Sequence, residues 1–179
     1  MRRQFSLLVI SCMLISGVRP SLAGNTLSGW GVVNMQGAII ETACAISVES
    51  QNQSIDMEVI SPADIIRSGK GRVKPFSIEL LNCVSERHDK ARPDWKHFQI
   101  TFDGDAEGDL FSVRGDASGI ALKITDQNGK MALPGRPLEH VDIRSGVMKL
   151  NYNLHLVTNQ SVLRVGEFFS AIRFTLDYF

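Results

Sequence analysis

Phe168-Phe169-Ser170-Ala171-Ile172-Arg173-Phe174-Thr175-Leu176-Asp177-Tyr178-Phe179 closes the sequence with a period of two: Ile172, Phe174, Leu176 and Tyr178 fall on one side, Arg173, Thr175 and Asp177 on the other. Successive side chains of an extended strand point to opposite faces, so this spacing predicts a strand with one apolar and one wet face. The alternation runs to the last residue, with no polar tail to cover it. A second alternating stretch, residues 30–40, stands near the other end. Both read as unfinished sheet edges, and an uncovered apolar edge invites pairing with another chain. Exchange of strands between subunits is the expectation this sets up.

Working inward, the same period recurs. Ile55 and Met57 alternate with Asp56 and Glu58; Phe76, Ile78 and Leu80 alternate with Ser77 and Glu79; Phe98, Ile100 and Phe102 follow. Later come Ile120, Leu122 and Ile124, then Leu150, Tyr152, Leu154 and Leu156. Turn signals at Asp103-Gly104, Asn128-Gly129 and Pro134-Gly135 separate them. About seven strands at this spacing predict an all-β antiparallel sandwich, each sheet with one buried and one solvated face. One short helical turn is expected from Ser61, with Ser61 as cap and Pro62 in the first position.

Residues 1–23 read as a secretory signal: Arg2 and Arg3 form a basic start, an uncharged and mostly apolar stretch follows, and Ser21-Leu22-Ala23 fits a cleavage site. Val9-Ile10-Ser11-Cys12 is similar to a lipoprotein box, but cutting there would split the apolar stretch. The segment holds three of the 19 basic residues and none of the 19 acids, so the remainder carries a formal charge of −3. Such a surface has no basic field for nucleic acid. Cleavage removes Cys12 and leaves Cys44 and Cys83 as an even pair in an oxidising compartment, which predicts a disulfide. Closing that loop is worth about 3 to 4 kcal/mol. The remaining 156 residues suffice for one domain with one core.

Sites of chemistry are sparse. Asp103-Gly104-Asp105-Ala106-Glu107-Gly108-Asp109 resembles the first half of a calcium loop, yet its twelfth position is Arg114 where a bidentate acid belongs, so a solvated hairpin tip is expected. His88, His97, His140 and His155 share no metal spacing and read as rim residues; no metal or cofactor is expected. No serine sits in a nucleophile elbow and no Gly-rich phosphate loop is present, which leaves no basis for expecting an enzyme. Asn52-Gln53-Ser54 and Asn159-Gln160-Ser161 match the glycosylation sequon and are taken as ordinary loop residues. Trp95 follows a charged stretch, residues 86–96, that reads as a long loop. Its indole either binds a sugar or partner, or covers one end of the sandwich.

Five pieces in order resemble the pilin subunits of bacterial chaperone/usher fimbriae over essentially all of the chain after residue 23. They are Gly29-Trp30-Gly31-Val32-Val33-Asn34-Met35-Gln36-Gly37-Ala38-Ile39-Ile40-Glu41-Thr42-Ala43-Cys44; Gln53-Ser54-Ile55-Asp56-Met57; Phe76-Ser77-Ile78-Glu79-Leu80-Leu81-Asn82-Cys83; Phe98-Gln99-Ile100-Thr101-Phe102-Asp103-Gly104; and Phe174-Thr175-Leu176-Asp177-Tyr178-Phe179 with its penultimate tyrosine. The resemblance implies an incomplete immunoglobulin-like sandwich that lacks its final strand and is completed by a donor strand. It divides the chain into a signal peptide (1–23), a donor-strand extension (24–40) and a pilin domain (41–179). Val33, Met35, Gly37 and Ile39 would form the donor face. Ile172, Phe174, Leu176, Tyr178 and Phe179 would border the subunit's own groove and dock on a periplasmic chaperone.

Implied partners are that chaperone, an outer-membrane usher and neighbouring pilins, and the implied destination is a fimbrium on the bacterial surface, reached through the periplasm. Within the family, the segment Ile55-Asp56-Met57 and the ending Asp177-Tyr178-Phe179 look most like the minor subunit that terminates P pili. Met57-Glu58-Val59-Ile60-Ser61 departs from the glycine that shaft subunits usually carry after this strand. An ordinary shaft or adaptor pilin is the alternative within the family, and a secreted β-sandwich glycan-binding module the alternative outside it.

Overall fold

The computed structural model describes residues 31–37 and 40–179, and the chain divides into two compact units, Met1–Ala38 and Ile39–Phe179. Residues 1–23, Trp30 and Ile39 therefore lie outside the described residues. In the first unit, residues 31–37 have no regular secondary structure, and Val33 and Met35 are 83% and 88% exposed.

In the second unit, β1 (Ala45–Ile46) and the one-turn helix α1 (Val48–Gln51) precede α2 (Pro62–Ser68) and the long strand β2 (Lys70–Cys83). Next come β3 (His97–Gly104), the hairpin β4 (Ala106–Glu107) and β5 (Leu110–Phe111), then β6 (Arg114–Gly115) and β7 (Ile120–Asp126). β8 (Met131–Ala132), β9 (Arg136–Pro137) and β10 (Val141–Asp142) lead into β11 (Gly146–Thr158), β12 (Phe168–Phe169) and β13 (Ile172–Tyr178).

Two antiparallel sheets form. One has the order β1-β2-β11-β7-β5-β4 with β8 on β7; the other has the order β10-β3-β13 with β9 on β3; β12 pairs separately with β6. Register follows the alternation, because a slip of one residue would turn every apolar side chain to water. Leu150 lies opposite Ile78 and Tyr152 opposite Phe76, while Leu154 and Leu156 face Ile124 and Leu122. The two sheets meet through aromatics: Phe102 of β3 approaches Tyr152 at 5.0 Å and Phe76 at 6.2 Å, both edge to face. Cys44 and Cys83 are bonded, and β1 brings them together by pairing Ala45 with Leu81.

Four local expectations change. Ile55 and Met57 do point inward, but residues 53–61 run without any ladder partner, so this is an extended wall and not a strand. Asp103-Gly104 does not turn: both continue β3 and pair with Arg173 and Ile172, and the hairpin tip lies at Gly108. The closing strand is interrupted at Ser170 and Ala171, leaving Phe168–Phe169 to pair with Arg114–Gly115. At α2, Ser61 and Pro62 occupy the expected positions, yet the Ser61 hydroxyl makes no capping bond and its backbone carbonyl instead accepts from the amides of Asp64 and Ile65.

Candidate functional site: an apolar groove beside the last strand

β13 lies beside β3 in a register that places Phe174 opposite Phe102, Leu176 opposite Ile100 and Tyr178 opposite Phe98. Each pair shares one face of one sheet, so two equally covered strands would bury their partners equally. They do not. Phe98, Ile100 and Phe102 are 0 to 2% exposed, whereas Ile172, Phe174, Leu176 and Tyr178 are only half-buried. The difference lies on the far side of β13, where no strand pairs with it among the described residues.

That open side borders a groove of about 1290 Å³. Its floor is the inner face of the larger sheet, with Phe76, Ile78, Leu122, Ile124, Leu154 and Leu156. One wall is residues 53–60, which contribute Ile55, Met57 and Ile60. Having no ladder, this wall is held by side chains: Gln53 Nε2 donates to the Ser77 carbonyl (2.9 Å), and the Glu58 carboxylate meets Arg72 and Lys74. The opposite wall is a strap, residues 163–170, together with Ile172 and Phe174. Glycines seat the strap closely. A Cβ on Gly119, whose φ is +80°, would lie 2.6 Å from Leu163 Cα, and one on Gly115 would lie 2.4 Å from the Glu167 carbonyl oxygen. Backbone bonds between Ser118 and Arg164, at 3.0 and 3.2 Å, complete the seam.

The far end of β13 is closed differently. Phe179 donates its amide to the His97 carbonyl (2.9 Å), its own carbonyl accepts from Lys96 (2.7 Å), and its ring stacks on His97, which also meets His140 at 4.5 Å. The Tyr178 hydroxyl reaches the Cys44 carbonyl at 3.4 Å; burial raises its pKa and that bond lowers it, with burial winning. Trp95 is buried against Tyr178, with the Arg87 guanidinium 3.2 Å over its ring, so the indole covers the sandwich end and is not offered to a sugar.

Elsewhere, Arg114 pairs with Asp105, placing a cation in the acidic hairpin region. Asn159 donates to Glu107, and His155 shares a hydrogen bond with Thr125 on the outer face of the sheet, where burial and then Lys123 and Lys70 hold its pKa down. His88 is exposed. Among the described residues no three His, Cys, Asp or Glu side chains converge as metal ligands, and no helix is long and apolar enough to cross a membrane. The period of two gave β13 as a strand, whose Ile172 and Phe174 line the groove while Leu176, Tyr178 and Phe179 lie beyond it; the strap and the side-chain ties of the wall carry no period. Gly37, with Val33 and Met35, belongs to the first unit and is exposed.

No protein-family model matches the chain. The major MR/P fimbria protein of Proteus mirabilis (strain HI4320) is 32% identical over 88% of this chain and 90% of its own length. The PRS fimbrial minor pilin protein of Escherichia coli is 28% identical over 99% of this chain and 100% of its own. In three dimensions, the P pilus rod subunit PapA superposes with a TM-score of 0.68 at 22% identity, covering 76% of this chain and 99% of that one. A sandwich left open beside its last strand, together with a relative of this identity aligned along most of both chains, places the chain in the family of chaperone–usher fimbrial pilins.

Proposed function

We propose that the chain is a structural subunit completed by strand donation. The observation that supports this most directly is the unequal burial of Phe174, Leu176 and Tyr178 against their register partners on β3. An added strand along β13 would satisfy the edge's backbone groups and cover these side chains together. In this reading a periplasmic chaperone supplies the strand first, and a neighbouring subunit then replaces it at the outer-membrane usher. The subunit's own donor face is Val33, Met35, Gly37 and Ile39, which would enter a neighbour's groove after residues 1–23 are removed on export.

The finer proposal is a minor subunit at the end of the fibre, in keeping with similarity to the PRS minor pilin along both whole chains. Its test is strand exchange: the complex with the chaperone is incubated with a shaft subunit's N-terminal peptide and followed by native mass spectrometry. A chaperone complex that refuses the peptide is the expected result for a terminator, and efficient replacement would make this an internal subunit. Donation is tested separately by Gly37→Arg, whose bulk at a close backbone approach should abolish insertion into a neighbour while leaving the domain folded. Normal incorporation of that variant into fibres would count against the donor assignment.

A further inference from the structure

Glu58 has a φ of +61°, a left-handed conformation disfavoured for side chains of its kind. Such a backbone persists where its surroundings over-determine it. Here the Glu58 amide donates to Asp56 Oδ1 (2.7 Å), Oε2 accepts from Arg72 Nη1 (2.6 Å), and Oε1 accepts from Lys74 Nζ. Arg72 and Lys74 stand two residues apart on β2, sharing the parity of Phe76 and Ile78, and Lys74 lies opposite Leu154 of the groove floor. Lys74 is only 23% exposed along its side chain, so the pair sits at the seam where the wall meets the sheet. Two cations on one face repel unless an anion lies between them, and among the described residues Glu58 is the only acid bridged to either.

Residues 53–61 have no ladder bonds to β2, so this carboxylate and the Gln53 amide, beside the packing of Ile55, Met57 and Ile60 on the core, fix where the wall lies. The turn at Glu58 sends Met57 into the groove and Val59 out to solvent. We infer that Glu58 is a positioning residue for strand acceptance: clamped between Arg72 and Lys74, it pins the wall at the distance from β13 at which Met57 meets an entering strand. The inference rests on the strand-acceptance reading above.

The test is amide hydrogen exchange of the full chain, comparing the wild type with Glu58→Gln, with the Arg72→Gln/Lys74→Gln pair, and with all three changes together. Glu58→Gln keeps the shape and removes the charge. Exchange of the residue-58 amide, which donates to Asp56 Oδ1 at the turn the clamp holds, should rise roughly two- to fivefold, the size of effect an exposed ion pair supports, and the triple variant should show no further rise. In 1 M salt, where screening acts within about 3 Å, the wild type should approach the variant. Incorporation of Glu58→Gln into fibres should fall by a similar factor. Wild-type exchange in Glu58→Gln, additive effects in the triple variant, or undiminished incorporation would each overturn the role. Amides of Ile172–Tyr178 in the same data report separately on the underlying reading: exchange as slow as that of β3 would remove the open edge, whatever the wall does.

Discussion

Phe102 and Phe174 lie side by side on one face of one sheet, yet one is sealed and the other half-open. Their truncations should therefore differ in the isolated chain. Phe102→Ala should cost about 3 to 5 kcal/mol by chemical denaturation, and Phe174→Ala about half of that or less. With a strand seated along β13, the two costs should converge. Cys83→Ser should cost about 2 to 5 kcal/mol, read in the same way, through loss of the bond to Cys44. Glu58 adds a pH dependence. Hydrogen bonding to Lys74, then the charges of Lys74 and Arg72, holds its carboxyl below the ordinary range, with Asp56 the neighbouring acid on the wall. A depressed carboxyl contributes its stabilisation above the unfolded pKa and loses it as pH falls through the folded one. Protection of the residue-58 amide should accordingly be flat near neutrality and drop on acidification below about pH 4, with no such drop in Glu58→Gln.

At the scale of elements, β2, β3, β7 and β11 were legible because each buries one face, and a period of two is what a half-buried strand requires. The inward aim of Ile55 and Met57 was legible for the same reason. Their lack of a ladder was not, since alternation reports which face is buried and says nothing of what pairs with the backbone. Glu58 escaped notice as a left-handed residue because that conformation is ordinarily signalled by glycine or asparagine. The strap was hidden too: it is held by close backbone approach at Gly115 and Gly119, which leaves no apolar rhythm. Gly119→Ala should put a Cβ against Leu163 at a positive φ, lifting the strap and costing more than about 1 kcal/mol in thermal or chemical denaturation. Trp95 shows the converse limit, as its loop setting was compatible with either a binding or a covering role, and only packing against Tyr178 and Arg87 decides it.

For the molecule as a whole, the larger sheet and β3 make a well-buried core, while β13 borders an apolar groove at Ile172, Arg173 and Phe174. The strand itself was readable before the fold was known, because Ile172, Phe174, Leu176 and Tyr178 recur at a period of two; of these, Ile172 and Phe174 line the groove. In the strand-donation reading, what covers them is a relation between chains, and its indirect mark in one sequence is the second alternating stretch with Val33, Met35, Gly37 and Ile39. In the proposed function β13 is an acceptor edge. Hydrogen exchange along Ile172–Tyr178, measured in the free chain and in complex with the periplasmic chaperone, tests it most directly. Fast exchange is expected at the outward-facing amides of the free chain, with strong protection of those same amides on binding; unchanged exchange along β13, with protection appearing elsewhere, would rule out an acceptor edge.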